Sequence, residues 1–176
     1  MPHPFDLTTE QEAAFTAWYN AEYARMGAEG RFKGLTIRQF EWRIRSSFNT
    51  HNVTSYIDYG CGQAMPYELS KFLSQFSPVL YDPYVERFSA YPQPADAVVC
   101  VDVLEHLPRY LISSLLRDVF SLAKKLVILT YCPRAARKTF SDGTNLHLTI
   151  ENEAFWRARI DEVNLESLPF HLMGSI

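Results

Sequence analysis

The chain has 176 residues, 47% hydrophobic and 21% charged, with a net charge of −3 and a pI near 5.9. That length and balance predict one globular domain with a packed core, and the acidic balance argues against a generally basic nucleic-acid surface. No apolar run is long enough to span a bilayer, and the opening MPHPFDLTTE lacks a charged-then-apolar leader pattern. Cys61, Cys100 and Cys132 have no metal-type spacing and read as reduced thiols of a cytoplasmic protein.

The first four residues read as loose. Thr9 with Glu12 has the form of a capping box and predicts a helix to about Met26. Phe15, Trp18, Tyr19, Tyr23 and Met26 share one face of it, interrupted by Glu22. That face suits core packing, or an aromatic lid over a pocket. Gly27 and Gly30 open a loop from Glu29 to Gly34 that carries Arg31 and Lys33. Thr36 with Gln39 predicts a second helix with Ile37, Phe40, Ile44 and Phe48 inward. A sheet begins at Val53. Its first strand runs through Tyr56 and Ile57 to Asp58, and Gly60 and Gly62 then form a tight turn.

A helix from about Pro66 follows, with Leu69, Phe72, Leu73 and Phe76 as its stripe, and then a strand from Pro78 to Tyr81 that ends at Asp82-Pro83. The stretch from Tyr84 to Pro94 is irregular. Ala95 to Val101 reads as a fully buried parallel strand. Leu111, Ile112, Leu115, Leu116, Val119 and Phe120 predict an amphipathic helix, and Leu126 to Thr130 another buried strand. Arg134, Arg137 and Lys138 precede a Ser141-Asp142-Gly143 turn. Phe155, Trp156 and Ile160 predict a last helix, and the tail from Val163 predicts one or two antiparallel strands at the sheet edge. Strands alternating with helices imply an α/β fold with right-handed crossovers. Residues 1–50 form a helical cover, and residues 53–176 the α/β core.

The strand, glycine turn and helix around Asp58 form a nucleotide cradle. A dinucleotide fingerprint requires a third glycine where Met65 stands. The Asp58 carboxylate suits a ligand with a positive group better than a pyrophosphate. Asp82 lies 22 residues after Gly60, at the end of the next strand, where a carboxylate can accept from ribose hydroxyls. Asp102-Val103-Leu104-Glu105-His106-Leu107 leaves the third strand.

In this order, Asp58-x-Gly60-x-Gly62, Asp82 and Asp102 to Leu107 resemble the motifs of class I methyltransferases that use S-adenosyl-L-methionine (SAM), over about residues 55–131. The resemblance implies a Rossmann-like, mostly parallel sheet and SAM as cofactor. It implies that Asp58, Gly60, Cys61 and Gly62 hold the methionyl part, Asp82 with Pro83 the ribose, and Asp102 and Val103 the methionine and adenosine side. One departure stands out. Tyr84 to Pro94 is too short for the helix and strand that most members carry there, so a trimmed sheet is expected, with Tyr84 or Phe88 as the candidate to stack on adenine.

The run from Pro133 to Leu148 is similar to that of small bacterial and phage members of unassigned substrate, which makes Arg134, Lys138 and His147 substrate candidates. His106, with Glu105 beside it, is the candidate general base. Asp102, Glu105, His106 and His147 are also similar to the metal-binding set of some members that act on phenols or RNA 3′ ends. The expected activity is methyl transfer to an O or N atom of a small-molecule acceptor, without a membrane or nucleic-acid partner. Three alternatives remain: a SAM-binding partner subunit without catalysis, a metal-assisted enzyme acting on an RNA end, and a nicotinamide oxidoreductase on a similar sheet.

Overall fold

The computed structural model describes residues 8–175 apart from 71, 72, 74 and 77. The expectation for the first four residues, and the place of Phe72 and of the Leu69 side chain, lie outside what is described. Five strands form one sheet: β1 (Tyr56–Tyr59), β2 (Pro78–Tyr81), β3 (Ala95–Cys100), β4 (Ala123–Tyr131) and β5 (Phe170–Gly174). Their order is β2-β1-β3-β4-β5, and every neighbouring pair is parallel. The helices with described bounds are α1 (Thr9–Ala28), α2 (Glu41–Thr50), a single turn α3 (Pro66–Leu69), α4 (Arg109–Ser121) and α5 (Glu153–Asp161).

The strands are apolar because both of their faces are covered. Tyr56, Ala97, Val99, Leu126 and Ile128 face one way and pack under Ile37, Phe40, Ile44 and Phe48. Ile57, Val98, Val127 and Leu129 face the other way, toward Tyr23 and Met26 of α1, Ile112 and Leu116 of α4, and Trp156 and Ile160 of α5. The period-two alternation of a strand thus divides one apolar run between two cores.

Three local expectations shift. The capping box of α1 is Thr8 with Gln11, one residue earlier than the Thr9–Glu12 pair. The segment after Gly34 opens as a 3-10 turn, Leu35–Phe40, before α2, and the Thr36 hydroxyl donates to Asp102 instead of capping a helix. The tail forms one strand, and it is parallel rather than antiparallel. The reason is α5, which carries the chain back along the sheet so that β5 starts at the same end as β4.

The trimmed edge is present. Between β2 and β3 the chain makes only a short 3-10 turn, Glu86–Phe88, which leaves β2 at the sheet edge. Tyrosines close the gap on the α4 side. The hydroxyls of Tyr59 (2.6 Å) and Tyr91 both donate to the Asp118 carboxylate, which pins the irregular segment to α4.

The chain adds β2 on one side of β1 and β3 on the other. Such a reversal of strand order opens a crevice beyond the carboxyl ends of the strands.

Candidate functional site

A cavity of about 1080 Å³ occupies that crevice. Asp58, Gly60, Cys61, Gly62, Asp82, Pro83, Asp102 and Val103 all line it, with His106, Lys138 and His147. Glu105 and Arg134 are outside the lining: Glu105 is fully buried in the wall, and Arg134 is exposed.

The glycine turn differs in detail from a ligand cradle. Every backbone N–H from Gly60 to Met65 has a partner within the chain. Gly60 and Cys61 donate to the Tyr81 carbonyl, Gly62 to Asp82, Gln63 to Phe32, Ala64 to Cys61 and Met65 to Lys33. A nucleotide cradle of this kind would present free N–H donors at the helix start, and none is free from Gly60 to Met65; α3 is a single turn. Gly62 is left-handed (φ 56°), and a Cβ there would come within 2.6 Å of the Phe32 carbonyl. A Cβ on Gly60 would meet Val103 at 2.4 Å. The missing side chains admit the chain's own neighbours, the Arg31–Gly34 loop and the strand-end Val103, which seal the turn.

Two buried carboxylates flank this turn. Asp58, 4% exposed, accepts from the Tyr67 hydroxyl at 3.0 Å. Burial pushes its pKa up to about 7, Tyr67 opposes the shift, and the charge of Asp82 adds to it. Asp82 accepts from the N–H groups of Gly62 and Tyr84, both at 2.9 Å, one on each oxygen. Burial raises its pKa too, against those two donors. Each oxygen keeps a second lone pair for a ligand hydroxyl.

Asp102 is left-handed (φ 62°), a conformation uncommon for a side chain other than glycine and tolerated best by Asn and Asp. Its N–H donates to Thr130 and its carboxylate accepts from Thr36, both at 2.9 Å. His106 Nδ1 is 2.8 Å from the Tyr23 hydroxyl. Burial drives the His106 pKa down to about 4, with His147 and Lys138 in the same direction and Asp102 opposed. The imidazole is thus neutral at pH 7. His147 stands edge-on to it, with ring centroids 4.8 Å apart. One ligand-type atom from each of Asp102, His106 and His147 lies within 4.8 Å of the others. Glu105 does not join that set, although it is the neighbour of His106. On the 3-10 turn Leu104–His106 the two side chains diverge, His106 to the cavity and Glu105 to the interior, where its oxygens approach Cys132 and His147.

Other lining residues have no motif. Leu111, Leu115 and Asp118 reach the cavity from α4, and Tyr19 and Tyr23 from α1. The aromatic face of α1 is therefore both core and cavity wall. Tyr84 lines the cavity, its hydroxyl donating to Asn20, whereas Phe88 does not line it. Arg31, Lys33, Arg117, Arg137 and Lys138 also line the cavity, which has the carboxylates of Asp58, Asp82, Asp102 and Asp118 as well. Amphipathic periodicity marked α1 and α4 but not which of their turns would meet the cavity.

Fold and site together define an open, Rossmann-like α/β protein with a ligand cavity at its strand-order reversal. No helix among the described residues is long and apolar enough to cross a membrane. Comparison with protein-family models, curated proteins and solved structures finds no match to this chain.

Proposed function

We propose that this protein is a SAM-dependent methyltransferase acting on an O or N atom of a small, anionic acceptor. One observation carries the reading. Two buried carboxylates, Asp58 and Asp82, end adjacent parallel strands and line one cavity, while the turn between them has no N–H free for a phosphate. A dinucleotide needs those donors. A ligand with an ammonium group and a ribose needs the carboxylates, and SAM has both. The absence of free donors speaks against the nicotinamide alternative.

The residues present fit that cofactor. Asp58 would pair with the methionyl amine, and Asp82 would accept from the ribose hydroxyls through its remaining lone pairs. Bound there, SAM supplies a methyl carbon already activated by its sulfonium. The protein's part would be alignment of the acceptor against that methyl group, since positioning is the main source of rate in such a transfer. The acceptor proton becomes acidic once its atom is methylated, so a weak base is enough to take it. The neutral His106 in the cavity wall, steadied by Tyr23, suits that late proton transfer. Glu105, outside the lining, does not touch the acceptor.

The basic residues of the lining favour an anionic acceptor; Arg137 and Lys138 are among them, and Arg134 is not. The same charge would suit an RNA end, the second reading, and acceptors of increasing length separate the two. The first test is calorimetric titration of S-adenosylhomocysteine into wild type and Asp82→Ala. Micromolar binding weakened by about 1–3 kcal/mol in the variant is expected for a lost charge-assisted partner. No binding to wild type defeats the reading.

A further inference from the structure

Glu105 is the least satisfied side chain in the site region. It is fully buried, and among the described residues neither carboxylate oxygen has a partner of full hydrogen-bond geometry, although the backbone N–H groups of Glu105 and Cys132 lie close enough to oppose the effect of burial on its pKa. Buried polar groups nearly always find partners, because an unpaired one forfeits its hydration without return. Methyl transfer as derived above does not use it. An oxygen of Glu105, the Cys132 sulfur and a His147 ring nitrogen all lie within 4.8 Å of one another. We infer that these three residues form a metal site for a zinc-class divalent cation, set behind the cavity wall.

The surroundings of each ligand agree. His147 Nδ1 donates to the Arg134 carbonyl at 2.5 Å, which leaves Nε2 with a free lone pair. A ring nitrogen that donates to a carbonyl is the usual support for a metal-bound histidine, since it fixes tautomer and orientation. Among the described residues the Cys132 sulfur makes a long contact, 3.7 Å, with the same carbonyl. The turn that bears Glu105 is held in place from the His147 side: Thr149 donates its N–H to the Glu105 carbonyl at 3.0 Å and its hydroxyl to the Leu107 carbonyl at 2.7 Å. Tetrahedral bonds of about 2.0–2.3 Å require ligands roughly 3.3–3.7 Å apart, so side-chain rotations of about an ångström close the set.

The donors select the ion. Thiolate, imidazole and one carboxylate match Zn²⁺, whereas Mg²⁺ takes oxygen ligands almost exclusively. One thiolate and one carboxylate neutralise a divalent charge, which suits a buried position. Binding releases the Cys132 thiol proton to solvent as the S–metal bond forms. The neighbouring trio of Asp102, His106 and His147 is a weaker candidate. Asp102 is exposed and already accepts from Thr36, and His106 Nδ1 is engaged by Tyr23. Of the three proposed ligands only His147 lines the cavity. The ion therefore fastens the Arg134–His147 loop, with Arg137 and Lys138, to the turn after β3, and need not touch the acceptor.

The site is tested with Co²⁺ added to the full chain after chelator treatment. Visible bands of tetrahedral strength are expected, with a near-ultraviolet thiolate-to-cobalt charge-transfer band, and Zn²⁺ should displace both. Cys132→Ser, an isosteric change at a half-buried position, should abolish the charge-transfer band. Glu105→Gln should weaken Co²⁺ binding at least tenfold. Asp102→Asn should leave the spectrum unchanged, with circular dichroism confirming that each variant is folded. No Co²⁺ spectrum overturns the inference and makes Glu105 a buried protonated carboxyl. Bands that survive Cys132→Ser in full and vanish in Asp102→Asn also overturn it, because the ion would then occupy the other trio. The spectrum is independent of S-adenosylhomocysteine binding, so failure of the cofactor reading and failure of this site are separately visible.

Discussion

Ligand binding should depend steeply on pH through Asp58. In the free protein its pKa is pushed up to about 7, burial being the largest cause. The methionyl amine of S-adenosylhomocysteine stays cationic across pH 5–8 and pairs only with the ionised carboxylate. At pH 8 roughly nine-tenths of Asp58 is ionised, and at pH 5 about one-hundredth, so the apparent Kd should rise on the order of a hundredfold between them. Calorimetry in two buffers of different ionisation enthalpy should detect up to about one proton released per ligand near pH 6. Adenosine, which lacks the amine, should not show this dependence. Asp58→Asn keeps an acceptor for Tyr67 but cannot ionise, so its binding should be weak and flat with pH.

Stability should move the opposite way. A carboxyl whose folded pKa is raised contributes stability that is present below its unfolded pKa near 3.8 and lost as pH rises through about 7. Asp58→Asn should therefore be more stable than wild type at pH 8, by up to roughly 4 kcal/mol. Binding that is flat between pH 5 and 8, or a slope that persists in Asp58→Asn, would refute the pairing of Asp58 with the amine.

Three further outcomes are expected. Gly62→Ala places a Cβ against the Phe32 carbonyl at a left-handed position, so urea denaturation should show a loss of about 1–3 kcal/mol and faster proteolysis of the Arg31–Gly34 loop. Asp118→Ala leaves the Tyr59 and Tyr91 hydroxyls without their shared acceptor. A loss of about 1–3 kcal/mol should follow, with faster hydrogen exchange confined to the Tyr84–Pro94 segment, and unchanged exchange there would mean that the tyrosines do not hold the trimmed edge. NADH should give no binding heat at concentrations that saturate the S-adenosylhomocysteine site, because the turn has no free N–H for its pyrophosphate.

Much of the fold was written locally. The apolar runs at Tyr56–Ile57, Ala95–Val101 and Leu126–Thr130, and the helical stripes of α1, α2 and α4, need only neighbours along the chain to be recognised, because a strand and a helix repeat every two and 3.6 residues. The spacing of Asp58, Asp82 and Asp102 was legible for the same reason: each ends a strand, and parallel strands end at one edge. Other features depend on residues far apart in sequence. The direction of β5 follows from where α5 returns the chain. The donors of the glycine turn are taken largely by Phe32, Lys33, Tyr81 and Asp82, from two other segments of the fold. Glu105 and His106 are adjacent in sequence, yet one turn sends the first into the core and the second to the cavity. Cys132 has no metal-type spacing, and only the packing of the chain after β4 against the turn after β3 brings it to Glu105 and His147. Periodicity is a property of the backbone and can be read from a string, whereas partnership among side chains arises only when distant segments compete for the same buried space.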